Sequence, residues 1–170
     1  MSLHDCKHGF LDLAKEIFPE YMRLLRQSVI TPISGQSFYT PGIGMQSIRK
    51  NYGNNGKDFR GCYVFIENGL PLYVGISKHV LYRLHSHLNA KNHQGSNFIY
   101  KVANKATKIS HLRKSPTSVE YKSSFQVALE RVRQCDLAWV AIPNALEVYL
   151  FEAYACMELG TKDYNDFETH

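Results

Sequence analysis

Long apolar runs are missing from this 170-residue chain, and no apolar segment follows its opening MSLHDCKHGF. Neither a membrane-spanning helix nor a secretory leader is expected, and the reading is a cytoplasmic protein. Cysteine is scarce: Cys6, Cys62, Cys135 and Cys156 are widely scattered, with no CxxC pair. That spacing argues against a disulfide framework and against a thiolate metal site. Internal repeats and low-complexity segments are absent too. Acidic residues nearly vanish from one stretch, residues 76–134, which hold two Asp/Glu against eleven Lys/Arg. Residues 1–75 carry eight basic against six acidic residues, and residues 135–170 carry one against seven, for a formal net charge of +5. A basic block followed by an acidic tail fits a polyanionic partner for the middle segment, or it is a solvated basic face; charge alone leaves both open. Apolar residues are present in ordinary measure, 44% hydrophobic against 21% charged, enough for one domain with a buried core.

Periodicity orders the elements. Residues 10–27 repeat apolar positions at helical spacing, with Pro19 inside the pattern either kinking the helix or starting a second one. Residues 31–60 are rich in Gly, Pro, Asn and Ser and read as a loop-like connection. The Gly42-Ile43-Gly44 within it lacks both a GK[ST] ending and a preceding strand, which argues against a phosphate loop. GCYVFIENGLPLYVG, residues 61–75, predicts a β-hairpin turning at Asn68-Gly69. Ser77 is the expected N-cap of a helix running to Leu88, with Leu81, Leu84 and Leu88 on one side. A basic segment follows, helical at Phe98–Ala106 and again at Phe125–Arg133. Leu137–Ile142 predicts a buried strand, after which Pro143 opens a helix, at or near its first position, that Gly160 ends.

Some residues on these elements can do chemistry. Arg83 and His87 stand one turn apart on a helix face expected to turn away from the leucine stripe, a pairing able to grip a phosphate. On the last helix Glu147 and Glu158 share one flank. Glu152 has apolar or aromatic neighbours one turn away, Val148, Tyr149, Ala155 and Cys156. A carboxylate so placed needs a cation, either a divalent metal or a nearby Arg. Tyr63 and Tyr73 are ordinary strand residues when taken singly.

Taken together, these residues resemble the GIY-YIG nuclease signature. Gly61-Cys62-Tyr63 and Tyr73-Val74-Gly75 match its two tripeptides, Arg83 lies ten residues beyond Tyr73, and His87 sits where some members carry a histidine. Glu152 falls where the family holds its metal-binding glutamate, and Tyr164-Asn165 is similar to the pair that closes the family domain, without the proline many members have before it.

The resemblance implies an α/β (α+β) fold, a small three-stranded mixed or antiparallel sheet flanked by helices. Residues 1–58 would be an N-terminal extension, helical then loop-like, and residues 59–170 the nuclease-like domain with a helical basic insertion at 89–134. It implies a metal-dependent endonuclease that hydrolyses DNA phosphodiester bonds with one metal, Mg2+ with Mn2+ as an alternative, held by Glu152. Arg83 would bind a phosphate oxygen and Tyr63 would contact the attacking water, its pKa lowered by Lys78 or the metal. Tyr73 would position the reacting groups, His87 assist proton transfer, and Asn165 brace the site. The implied partner is double-stranded DNA, with Lys78, Lys91, Lys101, Lys105, Lys108, Arg113 and Lys114 as contacts and no membrane. The role expected is a type II restriction or related site-selective nuclease, working as a homodimer. Repair, mobile-element and RNA-directed roles, a catalytically inactive nucleic-acid-binding module of the same fold, and a structural domain with a chance match are the competing readings.

Overall fold

The computed structural model describes residues 5–107 and 118–167. Its central feature is the hairpin of β2 (Gly61–Glu67) and β3 (Leu70–Ser77). Asn68 and Gly69 take φ of 52° and 78°, the left-handed pair that a two-residue hairpin loop demands. The antiparallel register sets Tyr63 opposite Gly75 and Phe65 opposite Tyr73. On its other side β2 pairs antiparallel with β4 (Asp136–Ala141), and β4 with β1 (Ile33–Ser34), so the strand order is β1-β4-β2-β3.

The sheet therefore has four antiparallel strands, not the expected three. The extra strand is two residues long and lies in the stretch read as a loop, where no alternation of apolar and polar residues could mark it. The same stretch holds a second unforeseen element, α3 (Met45–Tyr52), whose Ile48 is buried among the core residues.

Helices cover both faces of the sheet, so β2 is buried along nearly all its length. Cys62, Val64 and Ile66 face the side packed by α2 (Phe18–Ile30) and α7 (Ala145–Leu159). Tyr63 and Phe65 face the side packed by α4 (Val80–Leu88), α5 (Asn97–Thr107) and α6 (Val119–Arg133). The basic segment is thus part of the core: Phe98, Ile99, Val102, Tyr121, Phe125 and Val132 are all buried. Among the described residues no helix is long and apolar enough to cross a membrane.

Helix boundaries depart from the sequence reading for local reasons. A short turn α1 (Phe10–Asp12), a π-helical stretch Leu13–Ile17 and α2 run on without a break in helical backbone, so Pro19 lies inside one continuous helical segment and does not start a new one; the wider π turn stands just before it, where a proline interrupts the regular hydrogen-bond ladder. Ser77 does not cap α4. His79 occupies the N-cap position, and the free backbone N–H groups of Leu81 and Tyr82 donate to the Asp58 carboxylate at 3.0 and 2.9 Å. Pro143 lies just outside α7, whose N-cap is Asn144; its Oδ1 accepts from Leu146 and Glu147. Gly160 closes that helix with a left-handed φ of 67°.

Candidate active site

The two glycines of the hairpin tripeptides are set by packing. A Cβ on Gly75 would run into the ring and hydroxyl of Tyr63 across the strand pair, and one on Gly61 would strike the backbone carbonyl of Val140 on β4. Tyr63 consequently lies flat over a bare stretch of β3, only 1% exposed. Its hydroxyl meets Nε2 of His87 at 2.9 Å, and Nδ1 of His87 meets Ser96 Oγ at 2.6 Å. Ser96 Oγ in turn accepts from the Ile99 N–H at the start of α5 at 3.1 Å.

His87 is fully buried, although its expected place is the face of α4 turned away from the leucine stripe. The reason is the layer in which α4 sits. Leu81, Leu84 and Leu88 belong to the same core cluster as Tyr63, Phe65 and Phe98, and the rings of Phe65, Phe98, Tyr63 and Tyr73 close around the imidazole at centroid distances of 5.6, 6.2, 5.8 and 6.4 Å. Burial, and then the Arg83 charge, hold the His87 pKa well below the ordinary histidine value. Burial likewise pushes Tyr63 well above the usual phenol, with the Tyr73 and Glu152 charges adding to it and Arg83 opposing through charge and hydrogen bonding. The cation felt by Tyr63 is Arg83; Lys78, considered for that role, is exposed.

Tyr73 joins this buried group to an open cavity. Its ring stacks on Phe98 at 4.2 Å and stands 6.4 Å from that of Tyr63. Burial and the Glu152 charge push its pKa up to about 12. A cavity of about 390 Å³ is lined by Tyr73, Lys101, Tyr149, Glu152, Asn165 and Phe167, among others. Asn165 braces the strand beside it: its Oδ1 accepts from the Val74 N–H at 3.0 Å and its Nδ2 donates to the Val74 carbonyl at 2.7 Å. Arg83 is half-buried and does not line that cavity. Its Nη1 donates to the Gly95 carbonyl at 3.4 Å, and its charge reaches Tyr63, Tyr73 and His87.

The three acids of α7 have different fates. Glu147 is buried and accepts from the Tyr21 hydroxyl at 2.7 Å, and Glu158 pairs with Arg26 at 2.6 Å. Glu152 has neither a hydrogen bond nor an ion pair among the described residues. Burial raises its pKa, and the nearby Lys101 charge opposes this. Such a half-buried carboxylate on an open cavity suits a hard divalent cation such as Mg2+, which binds one or two carboxylates and keeps several waters. No cluster of three or more His, Cys, Asp or Glu among the described residues offers a closed metal cage; the other carboxylate on the cavity, Asp166, is paired with Lys101 at 2.9 Å, so an ion there would rest on Glu152 and water.

Of the basic residues expected to contact DNA, Lys78 and Lys91 are exposed. Lys101 lines the cavity and pairs with Asp166 at 2.9 Å, and Lys105 pairs with Asp163 at 2.7 Å. Lys108, Arg113 and Lys114 lie outside the described residues. Ser96, Phe98 and Asp58 went unnoticed in the sequence. Each acts on a partner nine or more residues away, at no spacing that a helix or strand pattern records.

No family model matches the chain, and no curated protein does. Among solved structures it is similar to the GIY-YIG N-terminal endonuclease domain of UvrC from Thermotoga maritima bound to its catalytic divalent cation, magnesium. The TM-score is 0.38 at 15% identity, covering 84% of this chain and 96% of that one. A tyrosine-to-phenylalanine point mutant of the same domain gives a TM-score of 0.37 at 21% identity, over 65% and 86% of the two chains.

Proposed function

We propose that the chain is a metal-dependent endonuclease acting on DNA phosphodiester bonds. The observation that carries this reading is Glu152, a carboxylate without a hydrogen-bond or ion-pair partner among the described residues, on a cavity whose wall, Tyr73, adjoins the Arg83–Tyr63–His87 group. Glu152 would hold the divalent ion, which supplies charge neutralisation at the phosphate and a more acidic bound water. Arg83, always charged, binds a non-bridging phosphate oxygen. Tyr63 does not line the cavity and is 1% exposed, so it would act through its neighbours: its hydroxyl is hydrogen-bonded to His87 Nε2 and its ring backs Tyr73, which does line the cavity and would hold the attacking water. Burial holds the Tyr63 phenol pKa up and the His87 imidazole pKa down, so this pair positions groups and is not the base. Asn165 keeps β3 in place. In its finer form the reading is a homodimer cutting a symmetric site, as in a type II restriction enzyme.

A second reading, a nucleic-acid-binding module without catalysis, is favoured by the near-complete burial of Tyr63 and His87. Incubation of plasmid DNA with the protein, with and without Mg2+, separates them. Discrete ends that appear only with Mg2+ support the site-selective enzyme, random nicks a less selective nuclease, and binding without cleavage the second reading.

A further inference from the structure

The cavity beside Glu152 has an aromatic rim that the chemistry above does not use. Tyr149 and Phe167 both line it and stand 64% and 59% exposed. They differ from Tyr73 in the same cavity, whose ring is stacked on Phe98; among the described residues neither rim ring packs against another aromatic side chain. Tyr149 lies three residues before Glu152, so the two share a face of α7. Phe167 is set by the two residues before it: Asn165 is bonded to both polar groups of Val74, and Asp166 pairs with Lys101 across the cavity. A second cavity of about 140 Å³, lined by Met157, Lys162 and Phe167, opens on the same ring. Phe167 thus borders two cavities, one carrying Lys162 and the other Lys101, which a phosphate would have to draw from its pairing with Asp166.

Exposed aromatic rings beside lysines, at the edge of a phosphate-handling site, are the combination that holds unstacked bases: the rings offer π faces and the ammonium groups offer charge to the backbone. In a duplex the bases are stacked inside and cannot reach a side-chain ring, so a base held there has left the stack or was never in it. We propose that Tyr149 and Phe167 clasp an unpaired nucleobase of the substrate strand next to the bond at Glu152, making DNA with a single-stranded or extruded nucleotide the preferred substrate. This rests on the nuclease reading for its substrate class, and on the rim geometry for the base.

The test uses the full chain carrying Glu152→Gln and a short oligonucleotide containing 2-aminopurine, single-stranded or annealed to its complement. Binding is expected to quench the single-stranded probe, and Tyr149→Ala with Phe167→Ala should abolish the quench and weaken single-strand binding about tenfold while duplex binding changes less. Tyr149→Phe, which keeps the ring, should retain both. Unchanged quenching in the double alanine variant, or equal losses on both DNAs, would overturn the proposal. Cleavage by the native chain with Mg2+ on the same DNAs reads the nuclease proposal separately. Cleavage without quenching defeats the base clasp alone, and quenching without cleavage defeats the nuclease reading alone.

Discussion

The Tyr63 hydroxyl and His87 Nε2 are 2.9 Å apart in a site closed to solvent, on a histidine whose pKa burial holds well below its ordinary value. A folded-state pKa below the unfolded one means that the neutral imidazole contributes stability above about pH 6.5, and that this is lost as pH falls. Melts of the native chain should therefore drop between about pH 7 and pH 5, by up to about 1.4 kcal/mol per pH unit for this one proton. In His87→Gln that part of the slope should be gone, and a parallel slope in the variant would place the acid sensitivity elsewhere.

Glu152 should behave in the opposite sense. Its folded pKa is raised by burial, so the ionised side chain destabilises the fold at neutral pH, and the penalty disappears once pH falls below the carboxylate range. Glu152→Gln is expected to melt higher than the native chain at neutral pH, with the gap closing in acid. Adding Mg2+ should raise the native melting temperature and leave the variant unmoved. Glu152→Ala should abolish Mg2+-dependent cleavage with DNA binding largely kept; full activity would remove Glu152 from the metal.

For Arg83 the informative comparison is with lysine. Both Arg83→Ala and Arg83→Lys should lower the cleavage rate at saturating DNA, the alanine variant by about a hundredfold or more, as when a transition-state donor is removed. The lysine variant restores charge without the planar fork, so it should recover only part of the rate. A mild effect of Arg83→Ala would move the phosphate-binding role to another cation.

Asn165→Ala removes both bonds to Val74 and should cost about 1–3 kcal/mol, with faster hydrogen exchange at the Val74 amide. Asn165→Asp keeps the acceptor but turns a carboxylate oxygen on the Val74 carbonyl. It should be the worse of the two near neutral pH, in a urea titration of both variants.

DNA binding should weaken steeply with salt if Lys91 meets a phosphate, and Lys91→Ala should flatten the log–log salt slope by about one unit. Lys105 is held by Asp163 and lies over the Tyr164 ring, 5.0 Å from its centroid. Lys105→Ala should leave the slope unchanged, and a matching loss would show that DNA displaces Asp163.

The parts of the site legible in the sequence were those with local signals. Asn68-Gly69 announced the hairpin and Gly160 the end of α7, while Tyr63, Tyr73, Arg83 and Glu152 were grouped only by their resemblance to a known signature. Interactions across layers were not legible. A helical wheel of α4 shows one leucine stripe, yet its far side is closed by Phe65 on β2 and Phe98 on α5, and His87 is buried there. Counting charges showed a basic block and an acidic tail but not that Lys101 and Lys105 meet Asp166 and Asp163. Part of the apparent field for a polyanion is spent within the molecule.

The strand order has a bearing on how two copies of this chain could associate. Both margins of the sheet are blunted, β1 by its length of two residues and β3 by the Asn165 amide, which occupies the donor and acceptor of Val74. A neighbouring strand meets an occupied position in the middle of β3, which hinders edge-to-edge pairing there. A strand docking on β3 at this point would first have to displace the Asn165 amide from Val74, so a residue close to the end of the described chain also guards the hairpin's free edge.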